Sequence, residues 1–413
     1  MRQLLRDAEL RGDWRKRAED FENLVSPNGL RTQVLAAIGM RDPFDYAKTG
    51  EDGGDVYEKA ERNCVALGRQ LAGDPTLLQE ILPRLLKGQI YGQAHSIGQG
   101  VAIAFADTKA LIDMVRVAVH SVNDWKSCNP TFFGGLLHGW HERDPVLASN
   151  LLDEALDDPI LGPWFPELQL QVQLDAVGAA RIVASIGANR APIQAYRQLG
   201  RSLRTLQLTD ITPVLNALLL KGAEANHLAI FVLARVVPWA SDHQHASIAS
   251  LAAFCRDFMV RAQWPPISDV DVSVNLDMAH IIGLGVEYSR SFRDVRTLLK
   301  RIEDNLRNSS GYMSNDTGNY LGPILHRYPA ETLSALNRRR SAEQRDRVVD
   351  MVLGASHTDD MGVPKPVMAP ETLIEWCAMD PPARIAFASR ICALELPAEG
   401  GAFCGGTALC ARA

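Results

Sequence analysis

Two pairs of histidines have spacings that metal-binding proteins use. His138 and His141 are three residues apart and so share one face of a helix, with Glu142 next in the chain, while His243 and His245 form the second pair. A tetrahedral metal ion needs three or four converging ligands, and neither pair has a third ligand at a usual spacing. We therefore predict surface or helix-end histidines and no metal site.

A second stretch has the ligand spacing that opens a calcium-binding loop. Its oxygen-bearing side chains are Asp269, Asp271, Ser273, Asn275 and Asp277. Such a loop also needs a glycine and a closing glutamate, and Val274 and His280 stand in those places. We predict no calcium site. Because apolar residues alternate with polar ones over 270–276 and no second alternating segment lies nearby, we predict an extended connector rather than a sheet.

Seven cysteines are scattered along the chain without a CxxC pair. Their odd number favours reduced thiols in a cytoplasm. A catalytic thiol needs an adjacent base and partial exposure, whereas Cys255, the best placed of the seven, follows the apolar residues of a core helix. A metal site at His138 and His141 would need Cys255 or His280 to fold back onto it.

Sequence motifs of the common enzyme classes are absent: the chain has no GxxxxGK[ST], GxSxG or HExxH. Gly98 and Gly100 resemble part of a dinucleotide fingerprint, but the third glycine and the preceding strand are missing. We interpret both glycines as sites of close helix packing. No catalytic, cofactor-binding or metal-binding residue is assigned, and no cofactor is expected.

The densest basic cluster is Arg338, Arg339 and Arg340, followed by Arg345 and Arg347. Upstream lie Lys300, Arg301 and Arg307, and the interleaved acids are Glu343, Asp346 and Asp350. The cluster has no aromatic residues for base stacking, and the whole chain carries a formal net charge of −6 with a pI of about 6.0. This charge pattern is typical of a solvated helix with salt bridges, so nucleic-acid binding is not expected.

A recurring start signal indicates which elements hold these residues in place. Five residues each stand before a proline that is followed by apolar residues at helical spacing: Asp74, Asp144, Tyr328, Ala369 and Asp380. An aspartate there caps the helix, and proline is favoured in the first turn because its missing N–H has no partner to lose. Pro83 should kink or split the first of these helices, and Gly88 should end it.

Further helices are predicted over 176–188, 193–206, 211–220, 223–237, 248–260 and 278–288, with the apolar stretch 211–260 at the centre of the fold. The helix starts marked by a proline are unevenly spaced along the chain, so no fixed repeat length emerges. The prediction is an all-α fold, an irregular helical-repeat solenoid of HEAT/TPR-like helix pairs. The expected divisions are an N-terminal lobe (1–125), a central core (126–310), C-terminal repeats (311–395) and a disordered tail (396–413). Loops are expected at 49–55, 308–319 and 356–369.

The N-terminus lacks a signal-peptide pattern, and the most apolar run, 228–238, is about half the length of a membrane span and contains Arg235. We expect a cytoplasmic protein without membrane contact.

Two passages share a similar order of acidic residues, prolines and leucine-containing helical segments. The first runs from Glu142-Arg143-Asp144-Pro145 to Trp164-Phe165-Pro166, and the second from Ala369-Pro370-Glu371 to Asp380-Pro381. Over about 129–391 the chain resembles bacterial helical-repeat regions, in particular the C-terminal sensor arms of STAND-type signalling and antiphage ATPases. That resemblance implies a helical scaffold that senses a protein. The ATPase and effector modules expected beside such an arm are not in this sequence.

The leading hypothesis is a non-catalytic scaffold that recognises a protein partner, as the sensing part of a bacterial defence or signalling system. The alternative is an enzyme whose site is assembled from distant helices, for which His138, His141, Glu142 and Cys255 are the first residues to test. Nucleic-acid binding through Arg338–Arg340 is the third hypothesis.

Overall fold

A computed structural model describes residues 29–39, 56–86, 93–121, 125–242, 248–264, 272–308, 318–337, 357–358, 364–365, 368 and 370–391. Helix dominates these residues, which confirms the all-α prediction. The strands in this part of the chain are β1 (His357–Thr358) and β2 (Pro364–Lys365), an antiparallel pair of two residues each. They lie within the loop that was predicted over 356–369.

The helices of the first half are α1 (Leu30–Gly39), α2 (Val56–Ala72), α3 (Pro75–Leu85), α4 (Gln93–Ala104), α5 (Thr108–His120), α6 (Thr131–Arg143), α7 (Pro145–Asp157), α8 (Phe165–Gln169) and α9 (Ala176–Ala188). Those of the second half are α10 (Leu199–Ser202), α11 (Leu208–Leu219), α12 (Ala223–Asp242), α13 (Ile248–Arg261), α14 (Val272–Glu287), α15 (Phe292–Asn308), α16 (Gly318–Arg327), α17 (Pro329–Leu336), α18 (Pro370–Ala378) and α19 (Pro381–Ile391). Short 3-10 segments lie at Trp125–Ser127, Gly162–Trp164, Ile193–Gln198 and Leu203–Thr205.

The predicted helix starts are confirmed. Asp74 accepts a hydrogen bond from the Leu77 amide at 3.0 Å, and Asp144 accepts one from the Leu147 amide at 3.0 Å. Each carboxylate thus satisfies an amide that the first turn leaves without a partner. The predicted split at Pro83 is wrong, because α3 continues unbroken to Leu85.

Contacts divide the chain into two units, and the first comprises Met1–Gln173 with Ala188–Pro192. Within it, next-but-one helices pack side by side: α4 lies between α2 and α6, and α3 contacts α1 and α5. Helices that follow one another in the chain also contact each other, as α2 contacts α3 and α6 contacts α7. Even-numbered and odd-numbered helices therefore occupy different layers of this unit. The lobe boundary predicted at residue 125 falls inside it.

The second unit comprises Leu174–Gly187 and Ile193–Ala413. The same order recurs, since α12 contacts α10 and α14, α14 contacts α16, and α13 contacts α11 and α15. The stretch 211–260, which was predicted to be central, forms most of α11 and α13 and all of α12. Its buried residues include Leu215, Leu233 and Phe258. The helix predicted over 193–206 is instead two 3-10 segments that flank the four-residue α10.

The extended connector predicted over 270–276 is also wrong, because α14 begins at Val272. Val274, Asp277, Met278 and Ile281 have the spacing of one helix face, and the last three are buried. Packing of this face against α12, α13 and α16 prevails over the local alternation.

Candidate functional site

Glycines bring the backbones of three helices into direct contact in the first unit. A Cβ on Gly139 would lie 2.7 Å from the Gln99 carbonyl oxygen, and one on Gly135 would lie 2.7 Å from the His95 carbonyl carbon. On the other side of α4, a Cβ on Gly100 would lie 2.9 Å from the Val65 carbonyl carbon. Real Cβ atoms essentially never approach so closely. The interpretation of Gly98 and Gly100 as packing residues is confirmed, and we call the α4–α6 contact the glycine seam.

Polar side chains of α4 and α6 lie along this seam, each one or three positions from one of its glycines. The rings of His95 on α4 and His138 on α6 meet edge to face, with centroids 5.4 Å apart. The Gln99 amide donates to Glu142 Oε1 at 3.1 Å, and His138 Nε2 lies 3.4 Å from the same oxygen. Backbone contact between the two helices thus places four polar side chains within reach of one another.

The pKa of His95 is shifted by its surroundings in this cluster. Burial is the largest cause and lowers the pKa of His95, and the neighbouring His138 lowers it further. The hydrogen bond with Gln171 and the charge of Glu61 act in the opposite direction. The Gln171 amide nitrogen donates to the Glu167 carbonyl at 3.0 Å, which orients its oxygen toward the ring. The neutral imidazole of His95 therefore persists to lower pH than it would in an unperturbed histidine.

The cluster has few of the features that catalysis needs. His138 and Glu142 have side chains 40% and 47% exposed, as in an ordinary surface pair four residues apart on a helix. Throughout the described part of the chain, no three or more His, Cys, Asp or Glu side chains group as metal ligands do. His141 lies on α6 and is partly exposed, and Asp144 caps α7.

Cys255 belongs to the second unit. Its side chain is fully buried in α13, and burial raises the pKa of the thiol well above its ordinary value. A nucleophile must become a thiolate, so this environment argues against a catalytic Cys255. His280 is exposed on α14.

Asp277, the last residue of the calcium-like pattern, faces an arginine. Its Oδ1 lies 3.7 Å from Arg235 Nη2, and its side chain is 5% exposed. Burial raises the pKa of Asp277, and Arg235 opposes that shift. Asp269 and Asp271 lie outside the described residues, as do His243 and His245.

Of the upstream basic residues, Arg301 has contacts that stabilise the fold. Arg301 donates to the Ala262 carbonyl at 3.0 Å, and its guanidinium lies 5.9 Å from the Trp264 ring centre. Lys300 is exposed on α15. The cluster Arg338–Arg340 with Arg345 and Arg347 lies outside the described residues, as does the predicted tail over 396–413.

The helix pair α18–α19 exposes three large apolar side chains. Ile374, Met379 and Ile385 are 56%, 64% and 55% exposed. Trp376 and Phe387 are buried, each two residues from an exposed isoleucine and therefore on the other side of its helix. Their rings meet edge to face at 6.1 Å. One side of the pair is thus packed. The other side carries these exposed apolar side chains, and we call it the α18–α19 outer face.

Sequence reasoning missed His95, Gln99 and this outer face. The glycines at 98, 135 and 139 would have located the seam, since small residues at helical spacing on two helices allow close approach. Within the described residues, no helix is both long and apolar enough to cross a membrane. Comparison with protein-family models, curated proteins and solved structures found no match.

Proposed function

We propose that the protein is a non-catalytic α-helical repeat scaffold that binds a protein partner. The observation that supports this most strongly is the packing order within each unit. Next-but-one helices stack on one another in the series α2–α4–α6 of the first unit and α10–α12–α14–α16 of the second. Repeat proteins are built in this way, and they use the resulting extended surfaces for binding.

The proposed contact surface for the partner is the α18–α19 outer face. This pair exposes two isoleucines and a methionine. We take these three exposed side chains as the candidate contact residues. The inner side is fixed by Trp376, which donates to Ser334 Oγ at 2.8 Å and so attaches the pair to α17.

A narrower proposal follows the resemblance to STAND-type sensor arms: the partner belongs to a bacterial defence or signalling system. The thiols of Cys64, Cys128, Cys255 and Cys377 are free, which supports a reducing, cytoplasmic location.

The alternative of an enzyme assembled from distant helices has less support. Its residues are divided between the buried Cys255 and the surface pair of His138 and Glu142. The edge-to-face contact between His95 and His138 is a packing arrangement, whereas proton transfer requires hydrogen-bond geometry.

The test is affinity purification of the tagged chain from its native host, read by quantitative mass spectrometry. The unchanged chain is compared with the double variant Ile374→Asp/Ile385→Asp and with Leu220→Asp. Leu220 is the matched control because it is 85% exposed in the same unit but far along the chain from α18. Circular dichroism of each variant verifies the fold.

We expect one protein to co-purify in near-stoichiometric amount, to fall at least about tenfold with the double variant, and to remain with the control. Equal recovery with a folded double variant would exclude the α18–α19 outer face as the binding surface. A stoichiometric metabolite or metal in place of a protein would favour the enzyme.

A further inference from the structure

Two arginines lie against one aromatic ring in the second unit. The guanidinium carbon of Arg197, in the 3-10 segment Ile193–Gln198, is 4.3 Å from the ring centre of Phe231. The guanidinium carbon of Arg235 is 4.6 Å from the same centre, and both Phe231 and Arg235 belong to α12. Two like charges are therefore held close together, and a neutral ring offsets only part of their repulsion.

The guanidinium groups of Arg197 and Arg235 have unused hydrogen-bond donors. Among the described residues, neither group donates a hydrogen bond, and the ion pair of Arg235 with Asp277 has an N···O distance of 3.7 Å, too long for one. Arg301 and Arg327 differ, because their guanidinium groups donate to backbone carbonyls at 3.0 and 3.2 Å. Arg197 and Arg235 can thus donate to an acceptor that does not belong to the chain.

The acidic residue opposite the two arginines is Asp277 on α14. Its side chain is only 5% exposed. Burial is the largest effect on its pKa and raises it, whereas Arg235, His280 and Arg197 act in the opposite direction. Arginine side chains stay charged at all accessible pH values. One carboxyl group whose charged form is disfavoured by burial therefore faces two permanent positive charges, and positive charge is in excess.

Packing fixes the position of Arg235 while its charged end stays open to solvent. A Cβ on Gly200 of α10 would lie 3.0 Å from both Cβ and Cγ of Arg235, so the glycine lets α10 approach the stem of this side chain. Arg204 donates to the Arg235 carbonyl at 2.9 Å and holds the same part of the chain on α12. The Arg235 side chain is still 43% exposed, and Arg197 is exposed. A ligand from solvent can therefore reach both guanidinium groups.

We infer that Arg197 and Arg235 together bind a phosphoryl group, either free phosphate or a phosphate monoester of a small molecule. Guanidinium groups donate in pairs to the oxygens of phosphates and carboxylates. A carboxylate has two oxygens in one plane and suits a single guanidinium, whereas a phosphoryl group has three outer oxygens and suits two guanidiniums from separate elements. Its negative charge balances the excess positive charge beside Asp277. This site does not include the α18–α19 outer face and does not rest on the partner proposed there.

The test is phosphorus NMR with two probes, inorganic phosphate and N-acetyl-phosphoserine amide. The relaxation rate of each probe is measured as it is titrated into the full chain at low ionic strength, where charge interactions are least screened. The variants are Arg197→Gln, Arg235→Gln and Asp277→Asn. Arg296→Gln is the matched control, because Arg296 is an exposed arginine on α15 of the same unit. Circular dichroism verifies the fold of each variant.

We expect saturable binding of at least one probe with a dissociation constant on the order of millimolar. Arg197→Gln should weaken binding about tenfold, the contribution of charge-assisted hydrogen bonds from one guanidinium. Asp277→Asn should tighten binding about threefold, because it removes a competing negative charge and keeps the shape of the side chain. The control should stay within about twofold. If Arg235→Gln does not fold, Arg197→Gln and Asp277→Asn decide the outcome.

The two probes distinguish the sources of the phosphoryl group. Tighter binding of inorganic phosphate would identify the free ion as the occupant, and tighter binding of the ester would identify an esterified phosphate; both results support the inference. Three results would overturn it: no saturable binding of either probe, equal binding to folded Arg197→Gln, or competition by acetate at the same concentration as phosphate.

Discussion

Gly135 on α6 lies directly against the backbone of His95 on α4, so that a Cβ at position 135 would come within 2.7 Å of the His95 carbonyl carbon. Backbone atoms form both sides of this contact, and neither side has a flexible side chain that could move away. The glycine seam is therefore a rigid element of the first unit.

Gly135→Ala should lower the free energy of unfolding by about 3 kcal/mol or more, a fall in melting temperature of roughly 10 °C for a unit of this size. Gly283→Ala is the control, because no atom other than those of its chain neighbours and its own helix backbone lies within 4 Å of its Cβ position in α14. There alanine should be neutral or stabilising by up to about 1 kcal/mol, owing to its higher helix propensity. Similar melting temperatures for the two variants would show that the helices can separate without cost.

The glycine seam also shows how far the sequence predicts this protein. Helix starts at Asp74 and Asp144 follow local rules, because an aspartate and a proline determine the first turn by themselves. The start of α14 does not follow them, since its alternating residues favour an extended segment until three neighbouring helices pack on one face. The cluster of His95 with His138 depends on contact between residues far apart in the chain, which no local pattern reports.

Asn226 connects the turn between α11 and α12 to the end of α13. Its Nδ2 donates to the Leu219 carbonyl at 2.9 Å and to the Gly222 carbonyl at 2.7 Å, and its Oδ1 accepts from the Gln263 amide at 2.7 Å. Asn226→Leu should lower the free energy of unfolding by about 3 kcal/mol, because leucine at this buried position can make none of the three hydrogen bonds to the backbone.

Asn216→Ala is the control for this change, since Asn216 accepts one hydrogen bond from the exposed Arg261. Its cost should stay below about 1 kcal/mol. Chemical denaturation of both variants gives the comparison, and a loss at Asn226 no larger than that at Asn216 would contradict the role assigned to Asn226.

The lowered pKa of His95 predicts a dependence of stability on pH. The unfolded chain takes up a proton at this ring as the pH falls through about 6.5, whereas the folded chain does so only at lower pH. Acidification from pH 7 to pH 5 therefore favours the unfolded state. His95→Gln should reduce the loss of melting temperature over this range.

His280→Gln, at an exposed position in the other unit, is the matched control and should leave the pH dependence nearly as in the unchanged chain. An unchanged pH dependence in His95→Gln would contradict the lowered pKa of His95. It would mean that the effects of burial and His138 on this pKa are cancelled by those of Gln171 and Glu61.

Replacing His138 and His141 with alanine should leave the metal content unchanged and cost less than about 1 kcal/mol, since both histidines are partly exposed. Elemental analysis of protein purified without a histidine tag makes the comparison. Stoichiometric zinc, iron or manganese that disappears in the double variant would contradict this prediction and favour the enzyme.

Binding of the co-purified partner by isothermal titration calorimetry tests the scaffold proposal most directly. The purified partner is titrated into the unchanged chain, Ile374→Asp/Ile385→Asp and Leu220→Asp. Burial of the α18–α19 outer face predicts that the double variant weakens the dissociation constant at least about tenfold, while the control stays within about twofold. Equal dissociation constants for all three folded proteins would contradict the proposal that this face binds the partner.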